Sequence, residues 1–112
     1  MASPIENLSE RKCQPCEGGV APLDQSRINE LLEQSNGWQQ FDKEIAKSFS
    51  FRNYYETIAF VNAIAWISHS ENHHPDLEVG YRKCRVRYST HAIDGLSEND
   101  FICAAKIDQL NA

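Results

Sequence analysis

A long apolar run between residues 53 and 71 constrains the fold more than any other feature of the sequence. Asn53 followed by Glu56 is a helix-capping pattern, and Pro75 ends the helix that begins there. Two neighbouring apolar stripes recur at helical spacing: Tyr54, Ile58, Val61 and Ala65, and beside them Phe60, Ile64 and Ile67. So wide an apolar face predicts a helix that is buried against a sheet or a partner subunit.

Shorter periodic segments flank this helix on both sides. They predict a helix from Asp24 to the Asn36-Gly37 stop, strands at 38–41 and 44–51, strands at 77–81 and 83–90, and a last helix at about 98–110. Lys47 interrupts the alternation of the second strand, and Ser97 with Asp100 caps the last helix. The order α-β-β-α-β-β-α predicts an α+β fold, a four-stranded antiparallel sheet with three helices packed on one face.

Length and charge limit the domain organisation and the partners. The 112 residues are enough for one domain, placed at 23–112, and the Pro- and Gly-containing residues 1–22 are expected to form a polar, loosely held N-terminal arm. The net charge of -5 argues against direct nucleic-acid binding. No stretch approaches the roughly 20 apolar residues of a membrane span, and the first residues lack the apolar core of a secretory signal. The expected location is the cytoplasm.

Four cysteines, at positions 13, 16, 84 and 103, are too few and too unevenly spaced for a disulfide scaffold. Cys13 and Cys16 form a single CxxC, but a structural zinc site needs two more ligands, and Cys84 and Cys103 form no second pair. Redox chemistry favours this motif at a strand-to-helix junction rather than in a polar arm. The sequence therefore favours an arm that carries two reduced thiols.

Three of the four histidines lie in the stretch HSENHHPDL, residues 69–77, and the fourth is His91. His69 and His73 have the i, i+4 spacing of zinc ligands on a helix, but the HExxH arrangement is absent. Imidazoles also serve as proton donors and acceptors at neutral pH, and histidines at a helix end are common on protein surfaces. Metal binding, proton transfer and accident all remain open from the spacing alone.

The proton-transfer hypothesis makes specific structural predictions. The dipole of the long helix should favour the protonated form of His73 at its C-terminus. His91 should enter from the strand face that also holds Arg85 and Arg87, while Glu71 and His69 could orient the pair.

The stretch HSENHHPDLEVGYRKCRVRYSTHAIDGLSENDF resembles the signature of pterin-4a-carbinolamine dehydratases. The positions that carry the resemblance are His69, His73, His74, Pro75, Tyr81, His91 and Asp100. It extends from about Trp38 to the C-terminus, and CEGGVAPL resembles the leader of bacterial and plant members. Many members carry glutamate where this chain has His69, so a carboxylate that would orient His73 is expected to be missing, with Glu71 an imperfect substitute.

The resemblance implies the same fold, assembly into dimers or tetramers, and a reaction without metal or organic cofactor. Family members dehydrate 4a-hydroxytetrahydropterin, which aromatic amino acid hydroxylases produce, to quinonoid dihydropterin. It implies that His73 and His91 act as general acid and base, and that His74 positions the pterin and stabilises charge. The implied substrate-binding residues are Asn72, His73, His74, Ser89, Thr90, His91 and Ala92.

Two signature residues have structural interpretations instead. Asp100 is expected to cap the last helix rather than to take part in catalysis, and Tyr81 is expected to be a packing residue. The resemblance also leaves an alternative function open, because animal members act as dimerisation cofactors of a homeodomain transcription factor. The leader CEGGVAPL argues against that role here.

Overall fold

The computed structural model describes residues 7–15 and 20–110, and over these ranges the chain folds into helices and one four-stranded sheet. The helices are α1 (Gln25–Glu33), α2 (Tyr54–Glu71) and α3 (Glu98–Leu110), and the strands are β1 (Gln39–Phe41), β2 (Glu44–Ser50), β3 (Asp76–Val79) and β4 (Lys83–Tyr88). The predicted α-β-β-α-β-β-α order and the α+β class are confirmed.

The sheet is antiparallel throughout, and its strands lie in the order β1-β2-β4-β3. On one face, Ile45 of β2 pairs with Tyr88 of β4, and both side chains are fully buried. On the other face, Ser48 pairs with Arg85, and Ser48 is exposed while Arg85 is partly exposed. The buried face packs against core residues from all three helices: Leu31, Phe60, Ile64, Phe101 and Ile107. The helices therefore cover one face of the sheet, as predicted.

Lys47 interrupts the alternation of β2 without leaving a charge unpaired. It is paired with the buried Val86, so its stem lies on the covered face of the sheet. Its ammonium donates to Asp108 Oδ1 of α3 at 2.9 Å and to the Asn36 carbonyl at 2.9 Å, while Trp38 Nε1 donates to Asp108 Oδ2 at 3.1 Å. A mostly buried ion pair thus closes this edge of the core.

The strand predicted at 83–90 ends early, at Tyr88. The chain then turns: Thr90 forms an isolated bridge with Gly95, and His91–Ile93 is a short 3-10 helix that ends at Asp94 with φ 50°. His91 therefore does not lie on the strand face of Arg85 and Arg87, and that prediction is wrong. The turn at Asp94 and Gly95 overrides the apparent strand pattern: Asp94 has left-handed backbone, and the Thr90–Gly95 bridge closes the loop.

Residues 7–15 are held against the fold rather than loosely attached. Leu8, in a short 3-10 helix at Leu8–Glu10, is buried in the core at 3% exposure. Lys106 of α3 donates to the Ser9 carbonyl at 2.8 Å, and Arg11 bonds Glu98 at 3.2 Å. The expectation of a loose arm is wrong for this segment, because a polar composition does not reveal one buried leucine and backbone contacts. Cys16 lies outside the described residues.

Helix α2 buries only part of its apolar surface within the chain. Thr57, Phe60 and Ile64 are buried, whereas Tyr55 and Trp66 are 85% and 70% exposed. The helix begins where Asn53 caps the Glu56 N–H at 2.9 Å, as the sequence predicts. Among the described residues, no helix combines the length and the hydropathy needed to cross a membrane.

Candidate active site

His73 follows the end of α2, where the chain reverses. Asn72 has the left-handed conformation, φ 52° and ψ 42°, that ends a helix. The Ser68 carbonyl accepts the N–H of Asn72 and also that of His73, the latter at 3.2 Å, which closes the end of the helix. This turn directs the imidazole toward the first turn of α3, where Asp100 lies.

Asp100 is fully buried and binds the His73 ring. Its Oδ1 lies 2.7 Å from His73 Nε2. Its Oδ2 accepts hydrogen bonds from the Thr90 hydroxyl at 2.9 Å and from the Ser97 N–H at 2.9 Å. The Thr90 hydroxyl is also 2.8 Å from that of Ser97. One carboxylate therefore caps α3, as the sequence predicts, and also anchors the imidazole.

This contact corrects the expectation that a carboxylate orienting His73 is missing. Asp100, 27 residues further along the chain, supplies it. Glu71 is directed elsewhere: its side chain is 4% exposed, accepts the Cys13 N–H at 2.9 Å, and lies 3.6 Å from Lys12 Nζ. Burial acts to raise the pKa of Glu71, but the Cys13 amide and the ammonium groups of Lys106 and Lys12 outweigh it and lower that pKa.

The environment of His73 favours its protonated form. Burial acts to lower the pKa of the imidazole, but the hydrogen bond and the negative charge of Asp100 outweigh burial, so the pKa is raised above 6.5. The Tyr88 ring stacks on the imidazole, with centroids 5.4 Å apart and planes 13° apart. Because Nε2 is engaged by Asp100, Nδ1 is the nitrogen that remains for a bound molecule.

A cavity of about 620 Å³ opens beside His73. All the residues predicted to bind substrate line it: Asn72, His73, His74, Ser89, Thr90, His91 and Ala92. The volume lies within the range of about 300–1,000 Å³ typical of small-molecule sites. The structure therefore brings these residues together, while their individual roles remain predictions.

The signature residues His69 and Tyr81 lie away from this cavity. His69 is exposed on α2, with its ring 6.4 Å from that of Trp66. Tyr81 is 65% exposed and stacks on Tyr54 at 5.9 Å, so it is not a core packing residue. Neither side chain lines the cavity. Sequence spacing alone did not distinguish these two signature positions from the ones that line the cavity.

The cavity also has walls that sequence reasoning did not identify. Four of its lining residues come from the N-terminal segment: Lys12, Cys13, Gln14 and Pro15. Asn99 of α3 holds this wall in place, since its Oδ1 accepts the Gln14 N–H at 2.9 Å and its Nδ2 donates to the Gln14 carbonyl. No periodic pattern connects residues this far apart, so only the folded chain reveals the contact.

Metal ligation has no support from the arrangement of the histidines. In residues 7–15 and 20–110, no three histidine, cysteine or acidic side chains are grouped closely enough to hold a metal ion. His73 Nε2 is already bonded to Asp100, and the His69 ring lies outside the cavity.

An α+β fold that presents three imidazoles to one cavity, one of them anchored on a buried carboxylate, defines a site suited to proton transfer on a small molecule. Residues 21–110 match the family model described as pterin 4 alpha carbinolamine dehydratase. The chain belongs to this family.

Similar proteins support the same assignment. A relative from Nitrosomonas europaea is 64% identical over 105 residues, 93% of each chain. One from Nitrosospira multiformis is 61% identical over 110 residues, 98% of this chain and 97% of the relative. Both are named, provisionally, as pterin-4-alpha-carbinolamine dehydratases.

Solved structures share the fold at lower identity. The crystal structure of a transcriptional coactivator/pterin dehydratase from Brucella melitensis has a TM-score of 0.79 at 28% identity, over 81% of this chain and 99% of that one. A pterin dehydratase-like protein described as a RuBisCO assembly factor in the alpha-carboxysome has a TM-score of 0.55 at 26% identity, over 65% and 84% of the two chains.

Proposed function

We propose that the protein dehydrates 4a-hydroxytetrahydrobiopterin to quinonoid dihydrobiopterin by histidine general acid–base catalysis. The observation that carries this proposal is the His73–Asp100 pair at the wall of a cavity that His74 and His91 also line. Family membership supplies the substrate class and the reaction class, a hydro-lyase.

The reaction requires two proton transfers and no transfer of electrons to a second molecule. The hydroxyl on C4a leaves as water once it is protonated, the N5–H proton is lost, and a C4a=N5 double bond forms. A proton donor and a proton acceptor on a small-molecule cavity are sufficient for this step. The reaction therefore needs neither a metal ion nor an organic cofactor.

His73 is suited to be the donor. Its raised pKa keeps a larger fraction of the imidazole protonated near neutral pH. Asp100 fixes the ring through Nε2 and stabilises the imidazolium, and the proton on Nδ1 is then available to the leaving hydroxyl. After water leaves, a proton from N5 or solvent restores the charged ring.

His91 and His74 are assigned different roles. His91 begins a 3-10 helix, lines the cavity and is exposed, so it can exchange protons with solvent and serve as the second acid–base group. His74 is exposed on the extended backbone after Asn72 and is assigned to positioning the pterin and stabilising charge. Ser89, Thr90, Ala92 and Asn72 complete the proposed binding surface.

The proposed cellular role is tetrahydropterin recycling in the cytoplasm. An aromatic amino acid hydroxylase would release the carbinolamine, and a reductase would use the quinonoid product. A homodimer or homotetramer is the proposed assembly, because α2 leaves Tyr55 and Trp66 exposed.

The first test is the rate of carbinolamine decay. A phenylalanine hydroxylase generates the carbinolamine in situ, and its absorbance is followed with and without the protein. His73→Ala and His91→Ala should each lower kcat by about a hundredfold or more, because general acid–base catalysis contributes about 10²–10⁴. His69→Ala is the matched control, an exposed histidine of α2 outside the cavity, and should retain full activity. Full activity in both cavity variants would contradict the proposed dehydration by histidine acid–base catalysis.

The alternative is a non-catalytic protein-binding role, such as that of a dimerisation cofactor in transcription. The similar structures named above as coactivator and assembly factor show that such descriptions occur for related folds. The exposed Tyr55 and Trp66 offer a surface for a protein partner. A folded protein that forms a stable complex in a pull-down and gives no acceleration of carbinolamine decay would favour this alternative.

A further inference from the structure

Two thiols meet at the cavity wall and take no part in the proposed dehydration. Cys13 Sγ, on the N-terminal segment, lies 3.5 Å from Cys103 Sγ of α3. Cys13 also lines the cavity, whereas Cys103 is fully buried beneath it. A disulfide bond is about 2.05 Å long, so this pair is reduced and in van der Waals contact.

Contacts that do not involve sulfur fix the distance between these thiols. On one side of Cys13 Sγ, the Cys13 N–H donates to the buried Glu71 carboxylate at 2.9 Å. On the other, the next residue, Gln14, is bonded through both of its backbone groups to Asn99. Asn99 and Cys103 are one turn apart on α3. The pairing is therefore built into the way residues 7–15 dock, rather than being a chance approach of two mobile side chains.

We propose that Cys13 and Cys103 form an intramolecular dithiol–disulfide site, which glutathione disulfide oxidises so that residues 7–15 become covalently tied to α3. In the first step the Cys13 thiolate attacks one sulfur of glutathione disulfide, forms a mixed disulfide and releases one glutathione. In the second step the Cys103 thiolate attacks the Cys13 sulfur and releases the second glutathione. Two protein thiols and one glutathione disulfide thus give one protein disulfide and two glutathione molecules.

Burial assigns the order of the two steps. Cys13 is partly exposed and can meet an external disulfide, whereas Cys103 has no exposed surface and can react only with its neighbour. The hydrogen bond with Cys103 and burial raise the pKa of the Cys13 thiol, so little thiolate is present at neutral pH. The first step should therefore be slow at neutral pH and faster in mildly alkaline solution.

The disulfide would join the wall of the cavity to the helix that orients the catalytic imidazole. Lys12 and Gln14 flank Cys13 in that wall, and Asp100, the partner of His73, lies one turn from Cys103 on α3. Oxidation would thus hold the wall against α3 independently of the hydrogen bonds of Asn99. The site does not depend on the proposed reaction, because it is defined by the thiols alone.

The test oxidises the full-length native protein with glutathione disulfide at about pH 8.5, near the ordinary pKa of a thiol. After removal of glutathione, the intact mass should be about 2 Da lower than that of the reduced protein, and alkylation should then label two fewer cysteines. A peptide map should contain a Cys13–Cys103 cross-link. Cys16→Ser is the matched control, since it alters the same CxxC motif, and should oxidise normally. Cys13→Ser and Cys103→Ala should each abolish the cross-link.

Other products would overturn the proposal. A Cys13–Cys16 bridge, a stable mixed disulfide on Cys13, or no oxidation of the native protein would each show that Cys103 does not resolve the intermediate. Cys13→Ser replaces a partly exposed residue, so the test does not depend on whether a substitution of the buried Cys103 permits folding. Limited proteolysis gives a second measurement: cleavage within residues 7–15 should slow after oxidation of the wild type and stay unchanged in Cys13→Ser.

Discussion

At the scale of single residues, the site depends on one carboxylate that performs two functions. Asp100 caps α3 through the Ser97 N–H and holds the His73 ring through its other oxygen. The hydrogen bonds from these donors offset the cost of burying the carboxylate and fix its orientation. The same residue therefore caps a helix and orients the histidine of the proposed reaction. Changing Asp100 should affect stability and catalysis together.

Asp100→Asn tests the coupling between Asp100 and His73. The hydrogen bond and charge of Asp100 raise the pKa of His73 against burial, which lowers it, so removing the charge should lower the His73 pKa. The imidazolium then loses its proton at a lower pH, and the alkaline limb of the kcat/KM profile should shift downward. At pH 7 the rate should fall by about a hundredfold, the lower end of what general acid catalysis contributes.

The control for this variant is Asp94→Asn, which removes an exposed carboxylate that pairs with Lys43 at 2.7 Å. Its pH profile should match that of the wild type. Circular dichroism and a melting curve separate a folded Asp100→Asn protein from an unfolded one. A folded variant with an unshifted alkaline limb would show that Asp100 is only a helix cap.

At the scale of elements, the cavity is assembled from segments inside and outside the region that matches the family model. The turn after α2 and the loop after β4 lie inside the region that matches the family model, residues 21–110. The wall formed by residues 12–15 lies outside it. Asn99 anchors this wall, because its side-chain amide accepts the Gln14 N–H and donates to the Gln14 carbonyl. The wall is therefore made by residues outside the matched region, and substrate affinity is the property that it should influence.

Asn99→Ala should loosen this wall while leaving the imidazoles in place. Both backbone groups of Gln14 lose their partner, and KM should rise by about tenfold, equivalent to about 1.4 kcal/mol, with kcat little changed because His73 and Asp100 are untouched. Steady-state kinetics on the carbinolamine measures both parameters. Gln109→Ala, an exposed change on the same helix, is the control. A fall in kcat at constant KM would contradict a purely binding role.

At the scale of the whole molecule, the sequence predicts the fold more completely than the site. Hydrophobic period, caps and turn residues are local signals, and they correctly predict the element order and α2, from its cap at Asn53 to its end at Glu71. The His73–Asp100 contact spans 27 residues, and the Gln14–Asn99 contact spans 85, so neither leaves a local signal. The sequence misplaced His91 for a local reason instead, because the turn at Asp94 and Gly95 overrides the strand pattern that precedes it.

The exposed aromatic side chains of α2 predict self-association. Large exposed apolar surface on a helix favours a partner, so Tyr55→Ser with Trp66→Ser should shift the protein toward the monomer while the secondary structure is preserved. Sedimentation velocity measures the mass. Phe41→Ser, which removes an exposed aromatic ring of β1, should leave the assembly unchanged. An unaltered mass in the double variant would place the interface on another surface.

The docking of residues 7–15 on α3 has a consequence for biosynthesis. These residues are synthesised long before the side chains that hold them, from Glu98 to Lys106; Ser9 and Lys106 are 97 positions apart. Contacts of such sequence separation form late in folding because their loop-closure entropy is repaid only when both ends exist. The nascent chain can thus complete its sheet before the cavity has its last wall, and substrate affinity should be acquired only after α3 has been synthesised and residues 7–15 have docked on it.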